Sequence, residues 1–217
     1  MKPYYDDGRG IVIYHGDCRE IVPSLGKFDL LLTDPPYGIG EGNQKRILSR
    51  ANAAAARDYG HSEWDSEPPD RELLKVVLNC SKWKILWGGN YFEGLSGQRG
   101  WLVWDKDNGG NDFADCELAW TNLESAVRKF TWRWAGMLQQ NMADKDTRFH
   151  PTQKPVALMA WCIERAGEVQ NILDPFAGSG TTGRAAKDLG RKCTMIEREE
   201  KYCEIAARRM EQEVFAL

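Results

Sequence analysis

The sequence has little that would support a metal-binding, secreted or membrane-embedded protein. It contains three histidines, and its six cysteines form no C-x-x-C pair and no ligand spacing with a histidine, which weakens the zinc and disulfide interpretations. We expect buried or half-buried thiols in a reducing compartment. No apolar run approaches the roughly 20 residues that a membrane span needs, and the N-terminal segment is polar and acidic, unlike a secretory signal. A cytoplasmic protein without membrane partner or bound metal is therefore expected.

An excess of positive charge is also lacking. The chain carries 29 Lys and Arg against 32 Asp and Glu, a net charge of −3. This argues against a protein that coats nucleic acid by bulk charge, although local basic patches remain compatible with it. A hydrophobic share of 42% in 217 residues is ordinary for one globular domain over 1–217.

Short apolar runs alternate with helical patterns along the chain. Strands are predicted at 10–14, 28–33, 83–87, 101–104, 116–121, 171–174 and 192–196, and helices at 17–25, 70–78, 155–167, 181–189 and 199–214. The alternation predicts an α/β fold with a doubly wound, mostly parallel sheet of seven strands. Two connections, 39–69 and 122–149, are longer than usual and are candidate binding loops or a small added lobe.

A glycine-rich turn, PFAGSGTTG (175–183), joins the predicted strand 171–174 to a helix. Glycines allow a tight turn and a close approach of a ligand to the main chain, at the strand end where such sheets bind ligands. The next strand leads to Glu197, whose carboxylate can accept hydrogen bonds from both ribose hydroxyls of a nucleoside. The turn also matches G-x-G-x-x-G, which alone is a weak signal for a dinucleotide.

Two features disfavour phosphate ligands at this turn. Asp174 precedes it directly and would repel a pyrophosphate, whereas it suits a cationic ligand. The lysine of a P-loop is also missing after the glycines. A purely structural turn remains the alternative.

A second turn, Asp34-Pro35-Pro36-Tyr37, follows the predicted strand 28–33. The two prolines stiffen the backbone and remove two N–H donors. Asp34 is then a fixed acceptor and Tyr37 an aromatic plate beside it, which suits a flat group bearing an amino function. Taken alone, the tetrapeptide would be a proline-rich turn with a packed tyrosine.

DPPY and DPFAGSGTT together resemble the amino-methylating DNA methyltransferases. DPPY precedes the glycine-rich turn, as in the beta group of that family, whose Rossmann-like sheet is a circularly permuted form of the usual methyltransferase order. The segments HPTQKP (150–155) and GDC (16–18) match that group as well. The resemblance covers most of the chain except the two long connections.

The resemblance implies S-adenosylmethionine as cofactor and double-stranded DNA as partner. Asp17 would contact the adenine end of the cofactor, Glu197 its ribose, and Lys154 and Thr152 its methionine carboxylate. The remaining implied cofactor contacts are Asp34, Asp174, Phe176, Ala177, Gly178, Ser179, Gly180, Thr181 and Thr182. The implied catalytic residues are Asp34, Pro35, Pro36 and Tyr37.

The implied reaction is transfer of a methyl group to an exocyclic amino group of a flipped base. N6 of adenine is favoured, because cytosine enzymes of the family mostly carry serine at the position of Asp34. Basic residues in the two long connections would contact DNA phosphates, with nearby aromatic residues stacking or wedging. They are Lys45, Arg46, Arg50, Arg57, Arg128, Lys129 and Arg133.

Several alternatives stay open at this point. The same chemistry on N4 of cytosine comes first, followed by methylation of RNA or of a protein amide, for which related families usually place the glycine-rich turn first. A catalytically inactive DNA- or nucleotide-binding homologue would share the fold. A homodimer and an accompanying restriction endonuclease are also left open.

Overall fold

The sheet occupies the centre of the molecule, with helices packed on it. A computed structural model describes residues 1–39, 67–108, 114–135, 138–141, 149 and 153–212. The strands are β1 Tyr5–Asp6, β2 Ile11–His15, β3 Phe28–Thr33, β4 Ser81–Trp87, β5 Trp101–Asp105, β6 Cys116–Thr121, β7 Arg128–Thr131, β8 Trp134–Ala135, β9 Leu138–Gln139, β10 Asn171–Asp174 and β11 Lys192–Glu197. The α-helices are α1 Cys18–Ile21, α2 Arg71–Leu78, α3 Val156–Arg165, α4 Thr181–Asp188 and α5 Glu200–Glu211.

Nine strands form one sheet in the order β1-β2-β11-β10-β3-β4-β6-β5-β7, and β8 pairs with β9 separately. The five strands from β2 to β4 in this order are mutually parallel, and β6 runs antiparallel to both of its neighbours. β10 lies in the middle of the sheet beside β3 although it comes late in the chain. This placement agrees with the expected circular permutation and confirms the mostly parallel α/β fold.

The central strands are apolar on both faces, as expected for a sheet that is covered on both sides. In β3, Leu30, Leu31, Leu32 and Thr33 are all fully buried, with no alternation of polar residues. Two helices begin at an aspartate cap, α1 at Asp17 and α2 at Asp70, where the Asp70 carboxylate accepts a hydrogen bond from Leu73 N at 2.8 Å.

The prediction of seven strands was too low for the described part of the chain. The two additional members of the sheet, β1 and β7, are edge strands, and β7 (RKFT) carries mainly exposed residues. The burial of the thiols was correct for five cysteines, whereas Cys116 is exposed at the start of β6. Residues 213–214 of the predicted last helix lie outside the described residues.

The strand ends create one edge that matters for function, called here the carboxyl edge. β2, β3, β4, β10 and β11 are parallel, so their carboxyl ends meet there. β5 and β7 also end at this edge, since β6 reverses the chain direction between β4 and β5. In the parts of the chain that the structure describes, none of the helices is sufficiently long and apolar to cross a membrane.

Candidate active site

A cavity of about 340 Å³ opens at the carboxyl edge, within the size range of small-molecule sites. Many of the residues predicted to bind a cofactor line it. These are Asp17, Asp34, Lys154, Asp174, Phe176, Ala177, Gly178, Ser179, Thr181, Thr182 and Glu197. Gly180, Pro35 and Tyr37 lie next to lining residues but do not line the cavity, and Thr152 lies outside the described residues.

Asp174 ends β10 at the floor of the cavity. Its carboxylate accepts hydrogen bonds from Thr33 Oγ1 at 2.7 Å and from Phe176 N at 3.2 Å. Burial raises the pKa of Asp174 to about 6, against the opposing effect of these hydrogen bonds. The carboxylate therefore gains from any cation that enters the cavity.

The glycine-rich turn leaves space where a ligand would need it. Gly178 has a φ of +51°, and a Cβ built on it would meet no atom within 4 Å. The space beside Gly178 is thus open to a ligand, and a side chain at this position would fill it.

Glu197 ends β11 and lines the same cavity. One of its carboxylate oxygens accepts from Gly178 N at 2.7 Å and the other from Glu199 N at 2.8 Å. Burial raises the pKa of Glu197, and these backbone hydrogen bonds oppose the rise. A carboxylate has about four acceptor positions, so the group retains capacity for the two hydroxyls of a ribose.

Asp17 is brought beside Glu197 by the pairing of β2 with β11, in which His15 lies opposite Glu197. Gly16 N donates to the Glu197 backbone oxygen at 3.0 Å, and the Asp17 side chain caps α1 by accepting from Arg19 N at 2.8 Å. The GDC segment is therefore a part of the same site.

The cavity is lined mainly by negative charge. The described lining residues include six carboxylates and three cations; the carboxylates are Asp17, Asp34, Glu67, Asp174, Glu197 and Glu199, and the cations are Arg19, Lys154 and Arg198. Such a balance attracts a cationic ligand and disfavours a pyrophosphate. A nucleoside with a sulfonium, as in S-adenosylmethionine, fits the charge, the ribose acceptor and the open glycine turn.

Asp34 lies at the end of β3, between this cavity and the side chain of Tyr37. Its Oδ1 accepts from the Tyr37 hydroxyl at 2.6 Å, and its Oδ2 pairs with Lys154 Nζ at 2.7 Å. Burial raises the pKa of Asp34, the nearby Glu117 adds to the rise, and Lys154 opposes it. Burial and the neighbouring carboxylates also raise the pKa of Tyr37 well above its usual value, so its phenol remains a donor.

Glu117, on β6, is a member of the site that the sequence analysis missed. Its carboxylate pairs with Lys154 Nζ at 2.8 Å and with Lys106 Nζ at 2.6 Å, and it accepts from the Tyr37 hydroxyl at 3.3 Å. Burial alone would raise the pKa of Glu117, but the two ammonium groups outweigh it and lower the pKa to about 2. The available signal was an acid in the otherwise apolar strand segment CELAWT.

Lys154 is shared between two carboxylates. Its burial would lower the pKa of the ammonium, but Asp34 and Glu117 raise it above its usual value. Lys154 therefore stays protonated and acts as a donor. Its expected contact with the methionine carboxylate of a cofactor stays a prediction, and in the structure its ammonium serves Asp34 and Glu117.

Gln153 is a second buried residue that the sequence analysis did not single out. Its Oε1 accepts from Ser179 Oγ at 3.1 Å and from Phe149 N at 2.8 Å, and its backbone oxygen accepts from Trp134 Nε1 at 3.0 Å. These bonds tie the segment that carries Lys154 to the glycine-rich turn.

The three predicted DNA-contacting residues that the structure describes, Arg128, Lys129 and Arg133, are spread along β7 and the segment after it. Arg128 begins β7, at the end of the strand away from the carboxyl edge, whereas Arg133 follows β7 at that edge. Lys129 pairs with Asp105 at 2.9 Å, and Arg133 pairs with Asp107. The other predicted contacts, Lys45, Arg46, Arg50 and Arg57, lie outside the described residues.

The aromatic residues expected to stack or wedge near DNA pack on the protein. Phe130 stacks on Trp132 with ring centroids 5.7 Å apart and contacts Trp161 at 5.2 Å. Trp134 is buried, and its indole N–H is bonded to Gln153. The second long connection thus contributes core contacts as well as the basic residues.

The chain is similar to known proteins in both sequence and fold. The chain is 27% identical to the type II methyltransferase M2.DpnII of Streptococcus pneumoniae, over 98% of this chain and 93% of that protein, and 26% identical to the type II methyltransferase M2.MboI of Moraxella bovis, over 96% and 91%. The solved complex of M1.HpyAVI with SAM superposes with a TM-score of 0.56 at 22% identity, covering 92% of this chain and 98% of that one. The cytosine-N4-specific PvuII DNA methyltransferase gives 0.58 at 16% identity, covering 95% and 88%.

The family model described as DNA methylase, for N6 and N4 methyl transfer, matches residues 96–208, more than half of the 217 residues. Its range includes Glu117, Lys154 and the glycine-rich turn through Glu197. The match confirms the resemblance drawn from DPPY and DPFAGSGTT. The chain belongs to the N6/N4 DNA methylase family of S-adenosylmethionine-dependent enzymes that methylate amino groups of DNA bases.

Proposed function

We propose that this DNA methyltransferase acts on N6 of adenine and that Asp34 receives the target amino group. The observation that carries the proposal is the position of the Asp34 carboxylate, which lies at the rim of the acid-lined cavity with both oxygens held by donors. Serine, which most cytosine enzymes of the family carry at this position, is absent here.

The exocyclic amino group is a poor nucleophile, because its lone pair is delocalised into the ring. When bound, S-adenosylmethionine supplies an electrophilic methyl group. Asp34 can accept one N–H of the amino group and the Pro35 carbonyl the other, which favours a tetrahedral nitrogen with a localised lone pair. The chain then contributes positioning and electrostatic stabilisation of the charge that the nitrogen develops.

To accept a hydrogen bond from the target amino group, Asp34 must give up one of its present hydrogen bonds. Lys154 occupies Asp34 Oδ2, and Glu117 lies 2.8 Å from the same ammonium. Glu117 can therefore retain Lys154 when an amino group takes its place on Asp34. Such an exchange keeps the buried charges paired throughout, which avoids the cost of an isolated buried ion.

The target base must leave the duplex to reach Asp34, at a cost of a few kcal/mol. Methylation of N4 of cytosine is the second candidate, supported by the fold shared with the cytosine-N4-specific PvuII enzyme. Digestion of methylated DNA to nucleosides followed by mass spectrometry separates the two. N6-methyl-2′-deoxyadenosine is expected, and N4-methyl-2′-deoxycytidine alone would contradict the adenine proposal.

Replacement of Asp34 tests its role directly. We expect Asp34→Ala to lower turnover by at least about a hundredfold, in the range of a lost catalytic group. Asp115→Ala removes an exposed acid near the same edge and is the matched control. Turnover near that of the unchanged enzyme in Asp34→Ala would overturn the role, and cofactor binding with no methyl transfer by the unchanged enzyme would indicate an inactive homologue.

The partners of the protein extend the proposal. Two relatives are type II methyltransferases, which supports a cognate restriction endonuclease for this chain. Resistance of its methylated DNA to candidate endonucleases would test that. A homodimer and a cytoplasmic location also stay predictions, to be checked by analytical ultracentrifugation and by fractionation of cells.

A further inference from the structure

One well-exposed aromatic side chain lies directly beside the DPPY turn. Tyr91 is 46% exposed and belongs to the 3-10 turn Gly89–Tyr91 that follows β4 at the carboxyl edge. β4 is the neighbour of β3, which leads to Asp34 and Tyr37. In the described parts of the chain, the other well-exposed aromatic residue is Tyr4, near the edge strand β1.

The ring of Tyr37 is covered in this arrangement. The ring of Tyr91 stacks on it with centroids 5.0 Å apart and an angle of 15° between the planes. A Cβ built on Gly88 would overlap Tyr37 at Cε1, so backbone also packs closely against the ring, and Phe92 meets its edge at 6.2 Å. The face of Tyr37 on which Tyr91 stacks is therefore closed to a base.

The two covers of Tyr37 differ in how readily they can be displaced. Gly88 is backbone, and its N–H is fixed to the Leu118 oxygen at 2.9 Å. Tyr91 is a side chain, nearly half exposed, that can change rotamer without disturbing the core. Two stacked rings at this spacing also leave no room for a third between them, so a base can stack on that face of Tyr37 only after Tyr91 moves.

We infer that Tyr91 occupies the place of the target base on Tyr37 in the free enzyme and forms the second wall of the base slot after it swings out. The inference rests on the proposed function and adds a base-binding residue to it. A purine between two tyrosine rings gains stacking on both faces, and its amino group then lies beside Asp34, which Tyr37 holds through its hydroxyl. Stacking tolerates any base, so this wall contributes affinity and leaves the choice of base to Asp34.

The first test compares Tyr91→Ala with Tyr91→Phe and with Tyr4→Ala, which removes the other exposed tyrosine. Methyl transfer to unmethylated DNA should fall about tenfold or more in kcat/KM in Tyr91→Ala, in line with one lost base–aromatic stack. Tyr91→Phe keeps the ring and should retain most of the rate. Binding of S-adenosylmethionine should be unchanged in all three variants, which also shows that they are folded.

The second test observes the base without turnover. A duplex carries 2-aminopurine in place of the target adenine, at a site located by sequencing DNA that the enzyme has methylated. Capture between two rings quenches the flipped base, so its emission in the complex should be higher with Tyr91→Ala than with the unchanged enzyme. Tyr4→Ala should leave the emission unchanged.

Equal kcat/KM and equal emission in Tyr91→Ala and the unchanged enzyme would overturn the inference and leave the proposed function intact. Failure of the proposed function has a different signature, because the unchanged enzyme would then give only the N4-methylated cytosine nucleoside or no methylated nucleoside at all. If cytosine is the target, kcat/KM of Tyr91→Ala still tests Tyr91, with an equal value against the inference and a fall of about tenfold for it. Transfer to no base would overturn both proposals.

Discussion

Lys154 is bonded to two carboxylates at once, and this sharing sets the properties of Asp34. The Lys154 ammonium lies 2.7 Å from Asp34 and 2.8 Å from Glu117, and Lys106 balances Glu117 from the other side. Two cations and two anions are thus enclosed together, which is the condition under which buried charges are tolerated. We therefore expect each member to affect catalysis through its neighbours.

Glu117→Gln should reduce turnover and shift its pH dependence. Without its second partner, Lys154 is held by Asp34 alone and competes more strongly with the target amino group, so we expect kcat to fall about tenfold, equivalent to about 1.4 kcal/mol. The charge of Glu117 raises the pKa of Asp34, so its removal lowers that pKa. The acid limb of the kcat profile should move to lower pH, because Asp34 then stays ionised further into acid.

Glu124→Gln is the matched control, since Glu124 is exposed and outside this cluster. It should leave both kcat and the pH profile unchanged. An acid limb that moves upward in Glu117→Gln, or does not move, would contradict the proposed coupling between Glu117 and Asp34.

The sequence predicted the site residues that lie in short motifs, but it did not predict their partners from distant parts of the chain. Asp34, Asp174 and Glu197 stand at strand ends in recognisable segments, and the cavity contains all three. Glu117 reaches the site only because β6 runs antiparallel to β4, and no local pattern specifies that pairing. For the same reason the contact of Lys154 with Asp34, 120 residues apart, was not foreseen.

At the level of elements, Gly88 is the joint between β4 and the turn that carries Tyr91. Its φ of +70° favours glycine, and the space that a Cβ would need is occupied by the ring of Tyr37. The glycine therefore allows the ring to approach the backbone and to direct its hydroxyl toward Asp34.

Gly88→Ala should damage stability and activity together. The left-handed backbone alone makes alanine unfavourable by about 1–3 kcal/mol, and overlap with Tyr37 adds about as much again. Displacement of Tyr37 removes a donor from Asp34, so kcat should fall as well. Thermal unfolding and methyl transfer measure the two effects.

Gly94→Ala provides the comparison, because Gly94 has a φ of +83° but its nearest neighbour would be Arg71 Nε at 3.8 Å. It should lower the unfolding temperature through backbone strain while kcat is retained. An equal loss of kcat in both variants would show that the contact of Gly88 with Tyr37 has no special role.

Elements with a strong apolar pattern were predicted closely. β6 and β10 have the predicted bounds, and α2 begins after the predicted cap Asp70. The edge strand β7 was not predicted, because Arg128–Thr131 is mostly polar and pairs within the sheet with β5 on one side only. Such strands depend on their neighbour, which a local pattern does not contain.

At the scale of the whole molecule, the carboxyl edge combines the acidic cavity with the basic residue Arg133. A net charge of −3 gives no general attraction for DNA, so local cations must provide the phosphate contacts. Arg133 follows β7 at this edge, and Arg128 begins β7 at the opposite end.

Neutralising each of these two arginines in turn should show which edge of the sheet binds DNA. Arg133→Gln should weaken DNA binding and reduce the slope of log K against log salt by about one, as for one lost phosphate contact. Arg128→Gln should have the smaller effect if DNA lies across the carboxyl edge. Titrations at several salt concentrations measure both, and a larger effect of Arg128→Gln would place DNA elsewhere.

The hydrogen bond from Thr33 to Asp174 joins the early and the late part of the chain, 141 residues apart. During synthesis the strand that presents Asp34 leaves the ribosome long before β10 and β11, which must pair beside it to complete the cofactor pocket. A nascent or prematurely terminated chain that lacks these two strands has no place for the methyl donor. The order of motifs thus delays modification of DNA until the chain has been made at least through β11.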